Sequence, residues 1–231
     1  DTAPYSYNVG PDQIEACITE RTSAIIVAHI AGLPVDLDPI LDIARARNIP
    51  VIEDCAQAHG ATYKGKLVGT FGDVAAFSTM SGKHHATGAQ GGVVYTRNEE
   101  RYWRARRLSD RGKPFGLEWK DDNLVCTLNL NLDDLRAAVG LVQLDRLPEI
   151  VAGCRRIAHA TAERCAALET VQVDLGLPET DGVFWFLVLK LDTEKVTCDI
   201  DTFVAALQAE GLPFSAHYTR PFTEHTWFKE R

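Results

Sequence analysis

The sequence predicts an α/β fold: a mostly parallel sheet flanked by helices, followed by a smaller α+β set. Three observations carry that expectation. Short apolar runs of strand length alternate with helix-periodic stretches through the first half of the chain. One of these runs, 51–54, ends in an acid, placing a polar side chain where open α/β sheets bind ligands, at the carboxyl edge. Beyond Pro148 a shorter series of helix and strand signals resumes, so a large domain over 1–150 and a smaller one over 151–231 are expected.

Taken in order, 13–18 reads as a short helix, 24–29 as a buried strand and 37–47 as an amphipathic helix. Asp36 or Asp38 is placed to cap that helix, and Arg45 and Arg47 suit its C-terminal dipole. Pro50 opens the strand 51–54, and a turn-rich stretch with Gly60, Gly65, Gly69 and Gly72 follows it. Further strands are expected at 74–78 and 91–96, a helix at 98–108 and a polar loop at 110–123. Leu132, Leu135, Val139 and Val142 give 132–147 a helical period, and Ala137, Ala138 and Gly140 allow close approach of another helix. Pro148 separates this from a second helix ending near Leu168. A strand at 183–191, a helix at 200–211 and a strand at 213–218 complete the reading.

Composition narrows the function. Hydrophobic residues are 45% and charged residues 24% of the 231, enough apolar matter for a sizeable core. Lys plus Arg is 24 against Asp plus Glu 32, and the net charge of −8 argues against a nucleic-acid groove or an anionic membrane surface. No apolar run approaches the roughly 18 to 20 residues that a membrane span needs; the longest, 24–30, contains His29. The first residues carry neither a basic nor an apolar signal-peptide region. The six cysteines contain no C-x-x-C pair, so they read as buried free thiols in a reducing cytoplasm. Cys154 and Cys165 are spaced to share one helical face.

The chemistry concentrates in 51–96. Asp54 ends one strand, with Gln57 and His59 on the loop leaving it. A second strand ends at Ser78, and Lys83 follows among small residues, then Gly88, Gly91 and Gly92. A partly shielded lysine beside an acid on a neighbouring strand is the pair an aldehyde cofactor needs. The lysine condenses with the aldehyde, and the acid keeps a pyridine nitrogen protonated so that the ring draws electrons. Taken alone, these residues read more simply as a strand-end cap, a solvated loop charge and a turn histidine.

The run VIEDCAQAHGATYKGKLVGTFGDVAAFSTMSGK, followed by TGAQGGVVYT, resembles the DegT/DnrJ/EryC1/StrS family, sugar aminotransferases of pyridoxal-phosphate fold type I. HIAGLPVDLDPI upstream, NLNLDDLRAAVGLVQLDRL downstream and AHYTRPF near the end extend the likeness over nearly the whole chain. The resemblance implies an aminotransferase that binds pyridoxal 5'-phosphate. It would move an amino group from glutamate or glutamine to a keto-sugar nucleotide or keto-cyclitol. Lys83 matches the cofactor lysine and proton carrier, and Asp54 the acid at the pyridine nitrogen. Gln57 matches the residue beside the phenolic oxygen, Ala56 the residue against the ring face, and Ser78 a phosphate-binding hydroxyl. Asn129 matches an asparagine that reaches the phosphate from the second subunit of a homodimer.

Several positions depart from the family pattern. Gly88–Gly92 lacks the family's glutamate, and Asn129-Leu130-Asn131 lacks its arginine. His84 and His85 are unusual next to the lysine; adjacent side chains diverge and no third ligand is evident, so they and His59 are expected on the substrate side or in packing rather than on a metal. The family's usual N-terminal segment, with a helix N-terminus for the phosphate and a ring-stacking aromatic, has no counterpart before Asp54, and its final helix none after Tyr218. Two other readings therefore stand beside the aminotransferase. One is a non-catalytic relative acting as a binding or regulatory module. The other is a deoxysugar dehydratase, a class within the family with histidine at the lysine position, against which Lys83 argues although His84 is its neighbour.

Overall fold

Pro11 opens the first helix, where its fixed φ and missing N–H cost nothing. The computed structural model describes residues 2–4, 6–118, 122–216, 218 and 221–230. Elements follow in the order α1 (Pro11–Cys17), β1 (Ile25–Ala28), α2 (Leu37–Ala46), β2 (Val51–Asp54), β3 (Thr62–Tyr63), β4 (Lys66–Leu67), β5 (Val74–Ser78) and β6 (Gly92–Tyr95). Then come α3 (Glu99–Ser109), α4 (Asp134–Cys165), β7 (Val171–Val173), β8 (Thr180–Asp181), β9 (Leu189–Leu191), α5 (Ile200–Ala209) and α6 (Thr226–Lys229). The chain forms two compact units, one of 1–167 with 172–190 and one of 168–171 with 191–231.

The first unit is built on a four-stranded sheet ordered β1-β2-β5-β6. β1, β2 and β5 run parallel and β6 is antiparallel to β5, so the sheet is mostly parallel, as predicted. Register places Ala28, Asp54 and Ala76 side by side at the carboxyl edge. Alternation along the strands buries Val27, Val51, Glu53 and Ala75 on one face, packed with Leu37 and Ile40 of α2. The opposite face, carrying Ile26, Asp54 and Ala76, is more open, and Ile26 is 66% exposed. The second unit is small: α5 starts at Asp199, whose carboxylate caps Thr202 N–H at 2.8 Å, and ends before Gly211 at φ +86°.

Several expectations change. Asp36 holds the N-cap position of α2 without capping, because its Oδ1 accepts the Tyr63 hydroxyl at 2.7 Å. Asp38 lies in the first turn and pairs with Lys64 at 2.7 Å. The glycine-rich stretch after β2 is not only turns: β3 pairs with both β4 and β8. α4 runs unbroken through Pro148, so the two helices expected there are one. Its small residue Gly140 meets the loop at Thr87, 3.0 Å from an added Cβ, rather than another helix. Only Leu189–Leu191 of the expected strand 183–191 is a strand. The described residues of 213–218 form none; His217, Thr219 and Arg220 lie outside the described residues, as do Trp119, Lys120 and Asp121 of the polar loop. Among the cysteines only Cys55 is buried; Cys17, Cys126 and Cys198 are exposed.

Candidate functional site

The acid that ends β2 is one of two adjacent carboxylates with different tasks. Glu53 is wholly buried, and its oxygens accept N–H groups from Gly69 (2.6 Å), Phe71 (2.8 Å) and Gly72 (2.6 Å). Nε2 of His29 lies 3.3 Å from the same carboxylate, while His29 Nδ1 accepts the Val35 N–H at 3.2 Å. That bond needs a lone pair on Nδ1, so Nε2 carries the hydrogen that points at Glu53. Burial would push the Glu53 carboxyl up, but the bonds from His29, Gly72 and Gly69 outweigh it and hold it below the ordinary Glu range. His29, Glu53 and Cys55 offer ligand atoms within 4.8 Å of one another. Four donors fill the carboxylate's acceptor sites and both imidazole nitrogens are engaged, so His29 and Glu53 form a structural knot that ties the Gly69–Gly72 turn to the sheet, with Cys55 packed in the core beside them.

Asp54 sits half-buried at the carboxyl edge, its Oδ1 accepting the Ala56 N–H at 3.0 Å. That bond folds the chain at once into the loop bearing Ala56 and Gln57. Gln57 is buried, and its Oε1 accepts the Ala31 N–H at 2.6 Å, which fixes the NH2 as the donor end of the amide. Ser78 ends β5 opposite Gly92, and its hydroxyl accepts the Met80 N–H at 3.3 Å.

Lys83 lies on the irregular loop after β5, half-buried. Its Nζ sits 3.7 Å from the centroid of the Trp185 ring. Burial draws the Lys83 ammonium below the ordinary lysine range, and the charge of Asp54 offsets this only in part. The structure thus brings the expected lysine and acid into one electrostatic neighbourhood.

The two histidines after the lysine diverge, as adjacent side chains must. His84 Nε2 bonds the Val183 carbonyl at 3.0 Å, and His85 Nε2 bonds the Gly140 carbonyl at 2.9 Å. Burial lowers the His84 pKa, with the Val183 carbonyl opposing and Lys83 assisting. His59 packs between Phe77 and His85, at ring centroids 5.5 and 5.9 Å away. It is 4% exposed, and among the described residues neither ring nitrogen meets the geometry of a hydrogen bond. Burial first, then the fields of His85, His84 and Lys83, push it down to about 4, with the backbone of Ser78 opposing. Asn129 stands apart from this group. It is exposed, bridges Asp110 through the backbone and accepts from Asn131 at 3.0 Å.

Sequence reasoning missed Trp185 and Ala31. Ala31 is fully buried at φ +60°, a left-handed conformation rare for alanine, and its N–H and C=O join Gln57 to Trp185. Trp185 was visible only as the centre of an aromatic run inside an expected strand.

The profile of the DegT/DnrJ/EryC1/StrS aminotransferase family matches residues 1–231. The chain is 34% identical over 214 residues to the GDP-perosamine synthase of Caulobacter vibrioides, covering 92% of this chain and 56% of that protein. It is 34% identical over 220 residues to a UDP-N-acetyl-3-dehydro-alpha-D-glucosamine 3-aminotransferase of Acidithiobacillus ferrooxidans, covering 93% and 55%. Among solved structures it is similar to the sugar aminotransferase CalS13 of Micromonospora echinospora, with 29% identity, a TM-score of 0.88 and coverage of 100% and 63%. The chain therefore spans little more than half the length of the curated relatives it matches.

Proposed function

Because the chain belongs to the DegT/DnrJ/EryC1/StrS aminotransferase family, we propose that the carboxyl edge of its sheet is the pyridoxal-phosphate site of an amino-sugar-forming aminotransferase. The observation that carries this reading is Lys83 itself, half-buried with Asp54 as the carboxylate acting on it. The donor set fits the cofactor's chemistry: an acid and a hydroxyl end neighbouring strands, and an oriented amide NH2 and an amine follow on the loops that leave them.

When bound, pyridoxal phosphate supplies an aldehyde that condenses with amines and a ring that takes up the electrons left when a substrate carbon loses its proton. The residues do the rest. Asp54 holds a proton at the ring nitrogen, Gln57 donates to the phenolic oxygen, Ala56 packs on the ring face and Ser78 donates to the phosphate. Lys83, with its affinity for protons reduced by burial, accepts and returns the proton at the substrate carbon. Asn129 reaches the phosphate of a partner subunit, and the exposed Leu135, Leu141 and Val142 of α4 support a homodimer. Substrate contact by His59, His84 and His85 belongs to the same proposal.

The amino donor is glutamate or glutamine and the acceptor a keto-sugar nucleotide or keto-cyclitol, in keeping with the sugar-modifying relatives. Residues 1–150 then supply most of the cofactor domain and 151–231 the smaller one, with 151–167 and 172–190 packed in the unit that carries the sheet. Six unpaired thiols suit a cytoplasmic location. Among the described residues no helix is long and apolar enough to cross a membrane.

The test is spectroscopic. Added pyridoxal phosphate should give a visible absorbance band that borohydride fixes onto Lys83, located by peptide mass. Persistence of the fixed adduct in Lys83→Ala would overturn the assignment.

A further inference from the structure

Lys83 has no element of its own to aim it. The loop from Met80 to Gly88 is neither helix nor strand, Gly82 precedes the lysine, and the lysine side chain is among those that lose most rotamer freedom when held. What gives it direction comes from the segment Val183–Trp185, far along the chain. We propose that Trp185 is a positioning residue for Lys83, its indole face holding the lysine at the carboxyl edge of the sheet whenever the amine is free. This rests on the reading of Lys83 as the cofactor lysine.

Two independent contacts join the pair. Nζ lies 3.7 Å from the ring centroid, well inside the roughly 6 Å range of cation–π attraction, and tryptophan offers the strongest such face. The indole Nε1–H donates to the Gly82 carbonyl at 2.8 Å, so the ring is fixed to the peptide that introduces Lys83 and cannot turn away without breaking that bond.

The segment is anchored in turn. Trp185 N–H donates to the Ala31 carbonyl at 2.9 Å and Val183 N–H to the Gly32 carbonyl at 3.0 Å. His84 closes the other side through its 3.0 Å bond to the Val183 carbonyl. Ala31 donates its own N–H to Gln57. One turn therefore sets both the amide expected at the ring oxygen and the aromatic platform under the lysine. A platform already in place leaves less motion to be lost when the amine reacts. The expected strand is given up here because these N–H groups bond the Ala31–Gly32 turn instead of a ladder.

The experiment measures Lys83 acetylation by trace acetic anhydride on the full chain dialysed free of pyridoxal phosphate. Peptide mass follows Lys83 across pH in the parent, Trp185→Phe and Trp185→Leu. Leucine keeps an apolar wall but offers no π-face to the ammonium, so the reactive amine fraction should rise and Lys83 should acetylate roughly two- to fivefold faster below its midpoint. Phenylalanine keeps a face and should stay near the parent. Equal rates in all three proteins, or Phe behaving as Leu does, would overturn the proposal. A second measurement does not depend on acetylation: Lys83→Met should change indole emission in the parent background and leave it unchanged in Trp185→Phe. No change in the parent background would also overturn it. A borohydride adduct on another lysine would sink the cofactor assignment, while these two measurements would still decide whether Trp185 holds Lys83.

Discussion

Glu53 and Asp54 are neighbours on β2 that leave the strand toward opposite faces of the sheet. Glu53 enters the core, where three backbone N–H groups and His29 surround its carboxylate. Asp54 emerges at the carboxyl edge, paired in register with Ala28 and Ala76. A strand period of two divides the labour: one acid builds the turn, and the next is delivered to the site.

Their substitutions should therefore separate stability from binding. Glu53→Ala strands several buried N–H groups and should cost about 3 kcal/mol or more in urea unfolding. Asp54→Ala removes a half-buried acid with one local bond and should cost about 1 kcal/mol or less. The order reverses in cofactor titration, where Asp54→Ala loses the visible band and any folded Glu53 variant keeps it. Equal destabilisation by the two changes would contradict the division.

His59 should give stability a distinct pH dependence. Its folded pKa, about 4, lies below its ordinary 6.5, so between those values the unfolded chain binds the extra proton. Stability is full above 6.5 and falls as the pH drops, by roughly 3 kcal/mol once pH 4 is reached. Glu53, held below its ordinary 4.5, contributes stability that is present above that value and lost as pH falls through its lower folded value, so its loss comes later in acid. His59→Leu should flatten the upper window and leave the lower one. Urea midpoints at closely spaced pH values measure both, and an unchanged slope between 4 and 6.5 in the variant would count against a buried neutral His59.

What the sequence disclosed follows physical rules of range. β1, β2 and β5 were legible because buried parallel strands read as short apolar runs, and Asp54 because it ends one of them. β3, β4 and β8 are two residues each, too short to show a period. Pro148 predicted a break, but Gly140, Val151 and Ala158 are buried on both sides of it, and that packing holds α4 in one piece. Lys83 and Gln57 stood out by following strand ends, and family resemblance gave them roles. The contacts that aim them were hidden, because Ala31 acts through a backbone N–H that no side-chain pattern advertises and Trp185 meets Lys83 from a hundred residues along the chain.

Gly32 should be intolerant of any side chain. It adopts φ +78°, and an added Cβ would lie 2.6 Å from both the Gln57 carbonyl oxygen and Val183 Cγ2. The left-handed backbone alone costs alanine about 1–2 kcal/mol. Gln57 backbone cannot retreat without moving the loop that follows Asp54. Gly32→Ala should therefore lose about 3 kcal/mol or more in urea unfolding and weaken the pyridoxal-phosphate band in whatever fraction remains folded. A variant as stable as the parent would mean that the Ala31–Gly32 turn is not the fixed hub these contacts describe.

Asn129 provides the test of a site shared between subunits. It is exposed on its own chain, where it bridges Asp110 and accepts from Asn131. If it serves a partner's phosphate, Asn129→Ala should weaken the cofactor band without changing stability by more than about 0.5 kcal/mol, as expected of a surface substitution. Mixing it with Lys83→Ala should then restore a fixed adduct. Each mixed dimer contains one site that joins an intact Lys83 to an intact Asn129 from the other subunit. Replacing Leu141 and Leu144 of α4, both exposed, with glutamate should abolish the rescue if that surface is the interface, and sedimentation velocity should show monomers. Rescue that fails while the parent sediments as a dimer would place Asn129 outside the phosphate site. A parent that sediments as a monomer and binds the cofactor fully would remove the shared site altogether.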